Sequence, residues 1–256
     1  MELKQFSLFN QHSAIKHFTT TRIGGVSGGT YSSLNLSYKV GDRFSRVRKN
    51  RERIADSIGV GYDRLLFPDQ CHTDRVKVIT ATQVDVDLTE TDALITNQKD
   101  LGIGILAADC VPILLFDPVK RIIGAVHTGW RGTAKRIVSR TIEKMIKRFG
   151  ARPVDMLAGI GPAISQEKYE AGAEVVAPFK TLFSDHPNII IEKKTHQKAH
   201  IDLQEANRVL LLRAGLKNEH IEVMNICTYS NPELFFSARR DGFHSGRFGV
   251  GIILLD

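Results

Sequence analysis

The chain has few of the features that mark whole classes of protein. Its 256 residues contain only three cysteines and one tryptophan. Three widely spaced cysteines do not make a disulfide framework, and no apolar run approaches the roughly 18 residues that a membrane helix needs. The opening stretch, MELKQFSLFNQHSAIKHF, lacks the charged-then-apolar order of a secretory signal. We therefore expect a reducing, cytoplasmic setting and no membrane partner.

The sequence also has no low-complexity tract, no fixed-period repeat and no Pro/Ser-rich linker, so we expect residues 1–256 to form a single domain. The Gly- and Ser-rich segment 20–42 lacks the GK[ST] ending of a phosphate-cradling loop. A nucleotide-binding loop of that kind is therefore not predicted, and loops around short strands are expected instead.

What the chain does have is positive charge, with 35 Lys and Arg against 28 Asp and Glu. The densest basic stretch is RFSRVRKNRER, residues 43–53. Val47, Ile54 and Ile58 fall on one helical face, so we expect an amphipathic helix with its arginines pointing outward. No zinc-finger, RRM or KH signature accompanies it. An RNA-binding protein therefore remains the non-enzyme alternative, but we do not expect nucleic acid as a partner.

Hydrophobic periodicity predicts four strands, at 74–80, 101–107, 113–116 and 121–126. It also predicts helices near 45–58, 133–149, 165–183 and 202–214, the last with a capping box from Asp202 to Glu205. Only a turn separates the strands at 113–116 and 121–126, so they form a hairpin. We therefore predict an α+β fold with mixed, largely antiparallel sheets.

Three residues at strand ends suggest a metal site: His72 in QCHTD, Cys110 in LAADCVP and His127 in AVHTGWRGT. Two imidazoles and a thiolate suit zinc with a fourth position open for water or substrate. A hairpin loop centred on Asp117–Lys120 would pair Cys110 with His127 on one face, with Cβ atoms about 5 Å apart. Spacing alone does not bring His72 to them.

The segment after His127 resembles an anion seat. GWRGT leads into the helix predicted at 133–149, with Thr133 placed as its N-cap. Arg131 would clamp an anion, and Trp130 would either stack on a base or pack in the core. Near the C-terminus, Arg239, Arg240 and Arg247 could bind anions or brace loops through carbonyl groups.

Motifs along most of the chain resemble, in order, those of the YfiH-like laccase-domain family. They are TRIGGVS, YSSLNL, QCHTD, TDALIT, ADCVPILLFD, AVHTGWRGT, GIGPAI, CTYS and FFSARRDGFHSGR. The resemblance implies a layered α/β/β/α sandwich and places the family's metal ligands on His72, Cys110 and His127. Members are described as multicopper polyphenol oxidoreductases or as zinc-containing purine nucleoside phosphorylases with adenosine deaminase and methylthioadenosine phosphorylase activities.

The resemblance and the ligand trio together predict a zinc-dependent purine nucleoside enzyme whose partners are purine nucleosides and phosphate. A laccase needs a histidine-rich multinuclear cluster, and nine histidines without an H-x-H pair do not favour one, although copper remains the alternative metal. The rival enzyme is a metal-free cysteine hydrolase with Cys110 as nucleophile and His127 as base. The candidate substrate-binding residues are Asn35, Asp109, Trp130, Arg131 and Arg240, and Asp109 is a candidate proton shuttle in deamination.

Overall fold

A computed structural model of the chain describes residues 2–80, 86–192 and 198–255. The helices of this part are α1 (Phe44–Ile58), α2 (Trp130–Ala134), α3 (Ile137–Phe149), α4 (Ala173–Leu182), α5 (Leu203–Arg213) and α6 (Ala238–Asp241). The strands are β1 (Leu3–Lys4), β2 (Ile15–Thr20), β3 (Leu65–Leu66), β4 (Val76–Ile79), β5 (Ala93–Thr96), β6 (Gly102–Ala107), β7 (Val111–Asp117), β8 (Ile122–Thr128), β9 (Leu157–Ile160), β10 (Glu170–Ala171), β11 (Ile190–Glu192), β12 (Ala199–Ile201), β13 (Ile221–Val223) and β14 (Phe248–Leu254).

Two larger sheets form the middle of the molecule. One has the strand order β1-β2-β14-β6-β3 and the other β13-β9-β7-β8-β5-β4, while β10, β12 and β11 form a small third sheet. Most neighbouring strands are antiparallel, and the pairs β3–β6, β4–β5 and β9–β13 are parallel. The sheets are therefore mixed and largely antiparallel, as predicted.

The hydrophobic core has three layers. Strands β7 and β8 are buried on both faces, so one core layer lies on each side of their sheet. Ile113 and Leu115 pack in the cluster shared with α3, α4 and α5, while Leu114 and Phe116 pack in the cluster between the two larger sheets. On the far side, Ile54 and other residues of α1 pack against the five-stranded sheet. This α/β/β/α sandwich confirms the predicted fold class. None of the helices in the described residues is long and apolar enough to cross a membrane.

The β7–β8 hairpin has a different register from the predicted one. Pro112 lies opposite His127 and Val111 opposite Thr128, so Cys110 lies beyond the last pair. The loop is still four residues long but begins one residue later, because Asp117 remains in the strand and its carboxylate accepts the N–H groups of Val119 and Lys120. A one-residue move of the loop centre shifts the register by two, which preserves the face.

Two predicted helices begin later than expected. Residues before α3 form the separate short helix α2, and Arg136 between them has left-handed φ of 58°. Thr133 is not an N-cap, since its hydroxyl donates to Gly129 O within α2. The first part of the predicted 165–183 helix is a 3₁₀ turn and strand β10, which pairs with β12. Helices α1 and α5 are confirmed, and Asp202 caps α5 by accepting from Glu205 N.

Candidate metal centre

The tertiary structure brings the three predicted ligands together. Cys110 immediately precedes β7, His127 is the penultimate residue of β8, and His72 lies in the loop between β3 and β4. Their ligand atoms all lie within 4.8 Å of one another. Cys110 Sγ and His72 Nε2 are 3.7 Å apart. Tetrahedral zinc with ordinary Zn–S and Zn–N bonds would separate such atoms by about 3.6 Å, so the donor set fits this metal.

A buried carboxylate, Asp92, orients the histidines, although it is not among the site residues predicted from the sequence. Its Oδ1 accepts from His127 Nδ1 at 2.8 Å, which leaves Nε2 of that ring for a metal. Asp92 also accepts the backbone N–H groups of Cys71, His72 and Thr73, and the Thr73 hydroxyl. These bonds hold His72 at its left-handed φ of 58°. A carboxylate behind a ligating histidine is the usual second layer of a zinc site.

The one sequence signal for Asp92 is its place at the start of a buried strand, in TDALIT. A carboxylate with no exposure needs partners, and here the loop carrying His72 supplies them. Asp92 therefore connects His127 on β8 to the loop that carries His72 through hydrogen bonds to both.

The charges at the candidate site suit a metal cation. Burial raises the pKa of the Cys110 thiol, but the nearby His127 and His72 outweigh burial and bring it down to about 6. Burial lowers the pKa of His127, but the Cys110 sulfur and Asp92 together raise it to about 9. Burial opposes ionisation of Asp92, while bonds from His127 and Thr73 bring its pKa down to about 2. At neutral pH the pair is thus a thiolate facing an imidazolium whose proton a metal would replace.

Gly129 allows the sulfur and the imidazole to approach. A Cβ at this position would lie 2.8 Å from Cys110 Sγ and 3.2 Å from His72 Cδ2. Its backbone is extended, so the requirement for glycine here is one of space.

The trio lies in the wall of a cavity of about 810 Å³, ample for a drug-sized ligand. Its aromatic and aliphatic lining includes Tyr38, Phe67, Trp130, Ile164, Tyr169, Leu203 and Phe243. Among the described residues, its basic lining consists of Lys39, Arg51, Arg131, Arg239 and Arg247, against the acids Asp69 and Asp109. The cavity therefore combines apolar surface for a ring system with positive charge for an anion.

Three of the five candidate substrate-binding residues line this cavity: Asp109, Trp130 and Arg131. The Arg131 guanidinium lies over the Trp130 ring, 4.4 Å from its centroid. Asn35 and Arg240 are not among the lining residues. The Asn35 amide donates to Ser37 O and accepts from the backbone N–H groups of Ser37 and Arg247. The Arg240 guanidinium donates to the carbonyls of residues 228, 229 and 235. Both side chains therefore stabilise loops.

The Asp109 carboxylate is already engaged on both oxygens. It accepts from Thr228 Oγ1 and from Arg239 N, each at 2.7 Å. Asp109 has a left-handed φ of 88° immediately before the ligand Cys110. This geometry favours a role in holding the turn that presents the thiol.

Fold and site together define a class: an α+β sandwich with one Cys-His-His donor group in a basic and aromatic cavity. A family model described as multi-copper polyphenol oxidoreductase laccase matches residues 16–255, and the chain belongs to this family. In residues 2–80, 86–192 and 198–255, His72, Cys110 and His127 form the one group of three such donors. This donor group could hold one ion, whereas the family's description implies several.

Relatives at more than 30% identity carry the names of purine enzymes. A purine nucleoside phosphorylase of Bacteroides thetaiotaomicron is 39% identical over 97% of this chain and 95% of its own length. Adenosine deaminase RL5, from an unknown prokaryotic organism, is 38% identical over 98% of each chain. The crystal structure of YlmD from Geobacillus stearothermophilus superposes with a TM-score of 0.90, at 30% identity and 99% coverage of both chains.

Proposed function

We propose that this chain is a cytoplasmic, zinc-dependent purine nucleoside phosphorylase acting on adenosine, inosine, guanosine and methylthioadenosine, with adenosine deamination as a second activity. The observation that carries the proposal is the convergence of Cys110, His72 and His127 within 4.8 Å beside a basic, aromatic cavity. The names of the relatives support the substrate class.

In phosphorolysis, a phosphate oxygen attacks ribose C1′ as the bond from C1′ to N9 breaks. The purine leaves with the electron pair and takes up a proton, and ribose 1-phosphate remains. Arg131 suits the phosphate, since its guanidinium makes no hydrogen bond within the described part of the chain. Trp130 and Tyr169 supply aromatic surface for the purine.

The protein's part at the metal is to supply and orient the ligands. A bound zinc ion would act as a Lewis acid toward a substrate oxygen or lower the pKa of water. Asp92 keeps one His127 proton on Nδ1, so a metal would displace the proton of Nε2 and bind the lone pair there. Cys110 contributes a thiolate, because the pKa of its thiol is about 6.

A metal-free cysteine hydrolase is the second candidate, and one observation favours it. A catalytic triad is a nucleophile next to a base that a carboxylate orients. Here the nucleophile would be Cys110, the base His127 and the orienting carboxylate Asp92. The third donor His72, 3.7 Å from the same sulfur, has no role in that chemistry. We therefore rank the metal site first.

Replacing Cys110 with Ala tests the proposal directly. We expect loss of bound zinc, read by elemental analysis, together with loss of inosine phosphorolysis, read as phosphate-dependent release of hypoxanthine. The matched control is Cys71→Ala, which removes an exposed thiol next to His72 that is outside the donor group. Full turnover after complete removal of metal by a chelator, with inactivation by iodoacetamide, would favour the hydrolase instead.

A further inference from the structure

Arg51 occupies an unusual position in the basic helix α1. Residues 47, 51, 54 and 58 follow one helical stripe, so Arg51 projects toward the interior among Val47, Ile54 and Ile58. The expectation that the arginines of this helix all point outward is therefore wrong for Arg51, which lines the cavity.

Three contacts fix the Arg51 side chain. Its Nε donates to Leu36 O at 2.8 Å. Its guanidinium carbon lies 4.4 Å from the centroid of the Tyr38 ring and 4.9 Å from that of Phe67. Contacts of this kind with two aromatic rings restrict the orientation of a guanidinium, so its remaining donors are preorganised.

Within the part of the chain that the structure describes, no carboxylate forms an ion pair with this cation. Among the described residues, neither Nη of Arg51 has a hydrogen-bond partner and no acidic group forms an ion pair with it, and the nearby acid Asp69 is paired with Lys39. The Arg51 side chain is half-buried, and burial lowers the pKa of its guanidinium. Placing a charge inside a protein without a counter-charge is unfavourable, so the site is incomplete without an anion.

A second arginine of the cavity shows the contrast. Arg247 also lines the cavity, but its Nη groups donate to the carbonyls of Phe243, Ser245 and Gly246. That guanidinium braces a loop and keeps little capacity for a ligand. Arg51 retains both Nη groups for one.

We propose that Arg51 forms a phosphate-binding subsite at the α1 side of the cavity. Two parallel N–H donors of a guanidinium match two oxygens of a phosphate group. The group would come from inorganic phosphate or from a phosphate ester of a nucleoside, and both sources share this chemistry. The subsite deepens the proposed function, since it names a second anion contact besides Arg131, but binding here does not require turnover.

Equilibrium binding to the purified holoenzyme tests the proposal. Isothermal titration with inorganic phosphate, adenosine and adenosine 5′-monophosphate is compared for the wild type, Arg51→Gln and Arg51→Lys. Arg53→Gln is the matched control: Arg53 lies on the same helix and donates to the carbonyl of Gly24, but it does not line the cavity. Circular dichroism and melting temperature confirm that each variant folds.

We expect Arg51→Gln to weaken a phosphate contact at least about tenfold, Arg51→Lys to retain part of it, and Arg53→Gln to change it less than about twofold. Weaker binding of inorganic phosphate identifies the free ion as the ligand. If inorganic phosphate binds as before, but adenosine 5′-monophosphate no longer binds more tightly than adenosine, the ligand is a phosphate ester. Unchanged binding of all three probes in folded Arg51→Gln, or an equal loss in Arg53→Gln, would overturn the subsite. Phosphate binding through Arg51 without phosphorolysis would refute the proposed function alone.

Discussion

Two parts of the cavity wall, the donor trio (called the metal end) and the surroundings of Arg51 on α1 (called the α1 end), differ in how each charged group is supported. At the metal end, the thiolate of Cys110 faces His127, and Asp92 lies behind that ring, so every charge has a protein partner. At the α1 end, Arg51 is held by a carbonyl and two aromatic rings and has no carboxylate beside it in the described residues.

This difference separates a site built to hold a resident metal ion from a site built to bind an exchangeable anion. A histidine that binds a cation is held by a hydrogen-bond acceptor behind it, which for His127 is Asp92 and which fixes the tautomer and the ring orientation. An arginine that is to bind an exchangeable anion must be oriented without being neutralised, and aromatic stacking achieves that. The same cavity therefore attracts a cation at one end and an anion at the other.

Acidification should disturb the metal end most. A metal must displace the proton of His127, whose pKa is about 9, and below a pH of about 6 it must also displace the proton of Cys110. Zinc affinity should therefore fall about a thousandfold between pH 7 and pH 5, and binding at pH 7 should release about one proton. Competition with a chelator of known pH dependence measures the first, and binding heats in buffers of different ionisation enthalpy measure the second. A pH-independent affinity would contradict the thiolate–imidazolium pair.

Asp92→Asn removes the supporting charge but keeps the side-chain shape. Zinc affinity should fall about 10- to 100-fold, because the amide no longer stabilises the orientation of His127 or the loop carrying His72. Zinc competition titration measures the loss, and phosphorolysis should fall with metal content. Asp74→Asn is the control, since Asp74 lies in the same loop but pairs with Arg140 away from the site. If Asp92→Asn and Asp74→Asn lower the zinc affinity equally, Asp92 does not specifically support the metal ligands.

Gly129→Ala tests the space between the ligands. The new methyl group would lie 2.8 Å from Cys110 Sγ, so the sulfur must move, and we expect zinc affinity to drop about tenfold. Gly132→Ala is matched to it, because there the nearest atom, a methyl group of Ile137, is 3.3 Å away. The same chelator competition compares the two, and a wild-type affinity for Gly129→Ala would show that the site is looser than the structure indicates.

Arg131→Gln should have the smallest effect. Arg131 is exposed, so its loss should raise the KM for phosphate only about two- to fivefold, with kcat nearly unchanged. Steady-state phosphorolysis at varied phosphate measures this. A larger effect than that of Arg51→Gln would move the principal phosphate contact to Arg131 and reverse the comparison between the two ends of the cavity.

Much of the fold was predictable because it follows from local patterns. The apolar runs of β7 and β8 and the stripe and cap of α5 identify these elements correctly. The β7–β8 register was wrong by two residues, since the Asp117 carboxylate decides where the turn begins. The start of α3 was wrong as well, because left-handed Arg136 interrupts a helical pattern that continues through it.

The site shows a similar division. His72, Cys110 and His127 were identified from residue type and motif, but the geometric reason offered for pairing Cys110 with His127 was the incorrect register. The side chains of Cys110 and His127 are still close together, because a register shift of two residues leaves both on the same face of the sheet. Asp92 and Arg51 were missed, since a single carboxylate at a strand start and an arginine in a basic helix look ordinary until their neighbours are known.

By itself the sequence determined the kinds of element, the donor types and the excess of positive charge, because these depend on residue identity and short-range periodicity. Only the tertiary structure decided that Asp92 connects the loop of His72 to strand β8. It also decided that Arg51, alone among its helix neighbours, lines the cavity, with no counter-charge from the residues that the structure describes. Both depend on contacts between residues distant in the chain. The physical reason is that the energetics of a charge are set by what surrounds it, and those surroundings exist only once the layers have packed.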